Sequence, residues 1–94
     1  MAYNETTVLG IVKVRLNRLS TDTSLDAYLK QRIAAAAGEL ERKGITMADN
    51  STDDAVLLAD YTVWAHQNRD KTGGMPEWLK LKVRERWFSQ ERDL

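Results

Sequence analysis

Apolar positions recur along the chain in four blocks separated by polar connections. In the second block Leu25, Leu29, Ile33, Ala36 and Leu40 follow one another at intervals of four, four, three and four residues, the stripe of an amphipathic helix. The run Ala34-Ala35-Ala36-Ala37 favours helix and keeps that surface thin, so that another helix can approach closely. Asp22 or Thr23 can start it, and Thr23 with Asp26 approximates a capping box. Gly44 sits where a left-handed residue closes a helix, and Ile45 would then pack back on Leu40 in a Schellman arrangement. Helix two is predicted over about residues 23–43.

The first block, residues 8–19, carries two readings. Val12, Val14 and Leu16 alternate with Lys13, Arg15 and Asn17 as in a strand, while Val8, Val12, Leu16 and Leu19 also fit helical spacing. No other segment offers a strand partner, so a short helix is preferred. The third block follows a polar connection over 45–52, with Ser51 or Thr52 as cap and Asp53 and Asp54 in the first turn, where carboxylates meet the positive end of the helix dipole. Its buried stripe is Leu57, Leu58, Tyr61, Trp64, Ala65 and Asn68. Asp70-Lys71-Thr72-Gly73-Gly74 breaks this helix in a tight turn, and Pro76 suits the first position of helix four.

Helix four differs from the others. At about 100° per residue, Leu79, Val83 and Trp87 lie on one arc and Trp78, Leu81 and Phe88 on a second, roughly opposite. Lys80 with Arg84, and Lys82 with Arg86, fill the gaps between them. A helix apolar on two sides needs two partners, and a small core supplies only one. Trp78, Leu81 and Phe88, with Lys82 and Arg86 beside them, are the expected subunit or partner interface, with chance placement or a helix sandwiched within the monomer as the alternative. The expected core is Leu25, Leu29, Ile33, Leu40, Leu57, Tyr61, Trp64, Leu79, Val83 and Trp87. The fold expected is all-α: a single small domain over 1–94 with about four helices, a long alanine-rich helix packed against a C-terminal helix pair, and frayed ends at 1–7 and 89–94.

Composition narrows the function classes. Ninety-four residues make one domain, enough for one modest core. The 14 basic and 14 acidic residues cancel, so no net field draws the chain to nucleic acid or membrane. The absence of cysteine excludes a disulfide framework and thiolate metal sites. The first residues lack the basic and apolar regions of a signal peptide, and no apolar run approaches a membrane span; a soluble protein made in a cytoplasm is expected. Charge is unevenly placed, with three basic and no acidic residues over 11–19 and four aspartates and no basic residue over 46–60. That polarity suits head-to-tail contact between copies, although a solvated face explains it equally well.

Catalytic chemistry has little support. His66, the single histidine, has no cysteine or serine in an activating context, and Asp70, one turn away, offers an ordinary surface pair. No metal-ligand spacing and no phosphate-loop motif occur. Asp49, Asp53, Asp54 and Asp60 read as loop and helix-cap residues. No enzyme activity, cofactor or metal is expected. A helix-turn-helix regulator, with Lys82 and Arg86 on phosphate, is the alternative function. It is weakened by the division of the cations of helix four between two arcs and by the neutral net charge.

A set of short words along the chain resembles the small head–tail connector (adaptor) proteins of long-tailed bacteriophages and their prophages. These are Val14-Arg15-Leu16 followed by Asp22-Thr23-Ser24-Leu25-Asp26; Leu40-Glu41-Arg42-Lys43-Gly44-Ile45 after an alanine-rich helix; Leu57-Leu58-Ala59-Asp60-Tyr61-Thr62-Val63-Trp64 followed by Asn68-Arg69-Asp70; and Met75-Pro76-Glu77-Trp78-Leu79 opening the final helix. The resemblance implies a structural virion protein with no cofactor. It implies a homo-oligomeric ring, dodecameric in the virion, beneath the portal protein. The ring would extend the channel through which double-stranded DNA passes without sequence recognition, and would receive a tail-side stopper or tail-completion protein. Localisation at the head–tail junction of the virion, after synthesis in the bacterial host cytoplasm, follows from the same resemblance, as does the absence of any membrane partner. The segment after Phe88 is short where relatives often carry terminal extensions.

Overall fold

Each hydrophobic block forms one helix. The computed structural model describes residues 3–71 and 73–92, with the backbone alone for Glu91 and Arg92. The helices are α1 (Glu5–Arg15), α2 (Asp26–Arg42), α3 (Thr52–Gln67) and α4 (Glu77–Arg92), with no strand among the described residues. The protein is an all-α four-helix domain.

Helix α3 is the axle of the fold, because it packs against each of the other three, while α1 and α2 also pack on each other. The alanine-rich α2 therefore meets the C-terminal pair through α3, and α4 lies on α3 and on the connection between α2 and α3. The sequence explains why α3 can be surrounded. Flanking its Leu57, Leu58 and Tyr61 around the helix are the small residues Ala55, Ala59 and Thr62, all buried. Thr62 Oγ1 donates to the Leu58 carbonyl at 2.7 Å, so its buried hydroxyl is satisfied.

Helix ends follow local chemistry. Ser51 caps α3 by accepting from the Asp54 N–H at 3.1 Å. Gly44 has φ +92°, Ile45 N–H reaches the Leu40 carbonyl at 3.0 Å and Gly44 N–H the Glu41 carbonyl at 2.9 Å. That is the Schellman closure expected there, with Ile45 and Leu40 in one buried cluster.

Other boundaries move. Asn4 accepts from the Thr7 N–H at 3.1 Å, so α1 starts at Glu5 inside the segment expected to fray. Likewise α4 continues to Arg92, and the frayed-end expectation for 1, 2, 93 and 94 lies outside the described residues. Helix α1 ends at Arg15, and Asn17 just beyond it takes φ 59° and closes a second Schellman pair, Arg18 N–H to Lys13 O at 2.8 Å and Asn17 N–H to Val14 O at 3.0 Å. Asparagine tolerates that conformation better than other residues with a Cβ. The expected capping box at Thr23 and Asp26 does not form. Asp22 instead accepts from Ser24 N–H and Oγ at 3.0 and 2.7 Å, and Asp26 is drawn to Lys13 at 3.0 Å. Helix α2 consequently starts three residues later than expected, at Asp26.

Of the expected core, Leu29, Ile33, Leu40, Leu57, Tyr61 and Leu79 are buried, while Leu25, Trp64, Val83 and Trp87 are partly buried and pack against it. Val8, Val12, Ala36, Ala37, Ile45, Met47, Ala55, Leu58 and Ala59 complete it. Burial of Val8 and Val12 together, with Val14 at 72% exposure, settles the first block as helix. The connection between α3 and α4 is not the expected tight turn, because it spans residues 68–76. Gly73 and Gly74 are exposed, and a Cβ on either would meet nothing within 4 Å. Pro76 stands one position before the helix, and its carbonyl accepts from the Leu79 and Lys80 N–H groups at 3.1 Å. Thr72 lies outside the described residues.

Candidate functional site

The inner face of α4 is fixed by one apolar anchor and one polar clamp. Leu79 is fully buried, and Val83 and Trp87 pack at the edge of the core. The Trp87 indole lies over Gly44, where a Cβ would come within 3.0 Å of Nε1. One turn of backbone with positive φ thus serves both to close α2 and to seat α4.

The clamp is built around Arg86. Its Nε donates to Asp54 Oδ1 at 2.6 Å, and its Nη2 donates to Asp54 Oδ2 at 3.1 Å and to the Thr46 carbonyl at 2.7 Å. Asp54 Oδ2 also accepts the Ala48 N–H at 2.8 Å, and the Asp54 side chain is only 4% exposed. Gln90 accepts the Thr46 N–H at 3.0 Å and donates to the Gly44 carbonyl. These side chains bind α4 to the start of α3 and to the chain between α2 and α3. Arg86 is therefore a scaffold residue, which corrects its assignment to the interface: a forked guanidinium shared by a buried carboxylate and a carbonyl is not offered to a partner.

The outer face is different. Trp78, Leu81 and Phe88 are 49, 48 and 49% exposed, so the second arc does lie outside the domain core. Phe88 is braced edge-on by Trp87, with ring centroids 5.1 Å apart. Met75, Val83, Trp87 and Phe88 line an open groove of about 460 Å³ beside them, rimmed by Lys43, Lys80 and Arg84. Lys82 is exposed on the other flank. Val14 and Leu19, at 72 and 74%, are the other large apolar side chains left in solvent among the described residues.

Lys13, Arg15, Arg18, Asp54 and Asp60, five of the seven charges over 11–19 and 46–60, are paired within the chain. Arg15 pairs with the buried Asp60 at 2.7 Å, Lys13 with Asp26 at 3.0 Å and with the Ser20 carbonyl at 3.1 Å, and Arg18 with Asp22 at 3.3 Å. Asp54 and Asp60 are thus structural counter-ions, with Asp54 also in the first turn of α3 as expected. Much of the charge segregated along the sequence is therefore used inside the fold, while Asp49 and Asp53 stay exposed.

His66 partners Tyr28 rather than Asp70. Tyr28 Oη and His66 Nδ1 stand 3.0 Å apart, with the rings edge-to-face at 5.6 Å. Burial holds the imidazole pKa below its ordinary value, and the charges of Arg69, Arg32 and Arg18 lower it further. Burial, and after it the Glu39 carboxylate, pushes the Tyr61 phenol up to about 12. Among the described residues no three His, Asp or Glu side chains converge as a metal site, and no helix is long and apolar enough to cross a membrane.

Fold and face together define a small all-α domain that presents one aromatic-rich helix surface. Comparison with protein-family models, with characterised proteins and with solved structures gives no match.

Proposed function

We propose that the chain is a head–tail connector of a tailed bacteriophage, assembling into a ring beneath the portal through the outer face of α4. What carries this reading is Trp78, Leu81 and Phe88, each about half exposed on a helix whose opposite side is already anchored. Three large apolar side chains on one helix face are typical of a contact surface. The resemblance of the four sequence words to connector proteins supplies the kind of assembly.

In this reading α1, α2 and α3 are the scaffold and α4 the presenting element, held at a fixed angle by Arg86, Asp54 and Gln90. The ring continues the DNA channel, which duplex DNA traverses without base recognition, and its far side receives a stopper or tail-completion protein. Burying the remaining half of three such side chains contributes roughly 2–4 kcal/mol per contact. That is below the cost of associating two free copies, so the portal is the expected nucleus. Electron microscopy of the chain mixed with the portal encoded in the same genome tests the assignment. Rings on the portal are the expected result; a chain that remains monomeric at high concentration and leaves the portal bare overturns it.

A further inference from the structure

The solvent side of α4 carries two unlike features next to each other. One is a knob. Leu81 is 48% exposed, and Glu77 and Glu85, both exposed, stand one turn before and one turn after it on the same face. The other is the open groove floored by Met75, Val83, Trp87 and Phe88, about 460 Å³ in volume, a size that admits a branched aliphatic side chain with room to spare. Its rim is basic throughout, since Lys43, Lys80 and Arg84 are all exposed around it. Lys80 lies 3.8 Å from Glu77 with both side chains largely in solvent, a contact worth little. Lys43 and Arg84 enter none of the ion pairs of the described residues. The groove is thus an apolar floor under cations that the subunit leaves uncompensated.

We propose that the occupant of this groove is the knob of a second copy: Leu81 of one chain enters the groove of the next, and the Glu77 and Glu85 carboxylates beside it pair with the Lys43, Lys80 and Arg84 rim. An apolar anchor flanked by acids meets an apolar floor rimmed by bases, so shape and sign agree without any outside partner. With 14 basic and 14 acidic residues, the chain also meets its own kind without net repulsion. Knob and groove occupy different arcs of α4, Lys80 and Leu81 being about 100° apart around the helix. A copy that has filled its neighbour's groove therefore still offers its own. The contact is head-to-tail, the class that builds rings or filaments, and its charges come from α4 and the end of α2 rather than from the runs over 11–19 and 46–60. It rests on the copy-to-copy contact through α4 proposed above, and not on the portal.

The test follows the intact chain by sedimentation velocity from micromolar to millimolar concentration at low and high salt, with NMR of the Trp87 indole as a local readout of the groove. Wild type should form species beyond a dimer as concentration rises, with a shifted Trp87 signal, and should do so less in high salt. Glu77→Lys with Glu85→Lys, and separately Lys80→Glu with Arg84→Glu, should each weaken association by about tenfold or more. An equimolar mixture of the two double variants should associate again, because the reversed knob fits the reversed groove and the native knob the native groove. All four positions are exposed, so both variants should keep the far-UV spectrum of wild type. Lys30→Gln, on α2, which does not touch α4, should change nothing. A wild type that stays monomeric at millimolar concentration, double variants that associate as wild type does, or a mixture that stays monomeric overturns the contact. Association that stops at dimers overturns its head-to-tail sense. Copies that associate by this contact yet leave the portal bare lose the connector reading and keep the contact, whereas a portal ringed equally well by wild type and by each double variant does the reverse, so the two failures are separable.

Discussion

Replacing Arg86 by methionine tests the clamp that orients α4. The substitution keeps an unbranched apolar stem and deletes the guanidinium, leaving Asp54 buried with only the Ala48 N–H as partner. Stranding one member of a buried ion pair generally costs about 3–5 kcal/mol. Two features reduce that here. Asp54 lies in the first turn of α3, where the dipole offsets roughly 0.5–1 kcal/mol, and the Arg86 side chain is 21% exposed, so water can enter its place. The expected loss is about 2–4 kcal/mol, or a fall in Tm of roughly 10–30 °C for a domain of this size. Urea denaturation followed by tryptophan fluorescence measures it, and Trp87 sits beside the lesion. A double-mutant cycle with Asp54→Asn should give a coupling of at least ~1.5 kcal/mol, because the partners touch directly. If Arg86→Met unfolds within about 0.5 kcal/mol of wild type, the pair is screened by solvent and α4 is held by Leu79 and Trp87 alone.

Gly44→Ala should lose about 1–3 kcal/mol, since φ +92° disfavours a Cβ and the Trp87 indole stands 3.0 Å from where it would go; the urea midpoint reads it. Asn17→Ala should lose roughly 1 kcal/mol while Asn17→Gly loses little or gains, as its φ of 59° requires. Ser51→Ala removes the α3 cap and should cost about 1 kcal/mol in the same assay. Tyr61 should titrate near pH 12 by phenolate absorbance, as against about 10 in the unfolded chain. Between those values the unfolded chain has released a proton that the native chain retains, so stability is full below pH 10 and falls as pH rises towards 12. Tyr61→Phe should remove that alkaline limb.

Features encoded by neighbours in the chain were legible in the sequence. The leucine and isoleucine spacing of α2, the Gly44-Ile45 stop and the Ser51 cap each need only residues within one or two turns. The two apolar arcs of α4 were legible for the same reason, and Leu79 and Phe88 ended on opposite sides as the helical angle requires. What local pattern could not reveal were pairings across the fold. Arg86 and Asp54 are 32 positions apart, and Tyr28 and His66 are 38. Arg15 finds Asp60 because α1 packs on α3, a fact that the charge run over 11–19 does not contain. Asp22 looked like a cap and became a turn residue, because Asp26 is held by Lys13 instead. Asn17 carried a signal that could have been read, since asparagine after a basic last turn is a recognised place for a left-handed residue.

The central claim is that the outer face of α4 joins copies of this chain into a ring. Its most direct test compares wild type with the triple variant Trp78→Ser, Leu81→Ser, Phe88→Ser by sedimentation velocity and electron microscopy, each with and without the portal. Because about half of each side chain is already buried, the variant should lose roughly 2–4 kcal/mol yet keep the helical far-UV spectrum of wild type below its melt, remain monomeric and fail to decorate the portal that wild type rings. A variant that assembles as wild type does, or a wild type that never assembles with the portal, contradicts the claim.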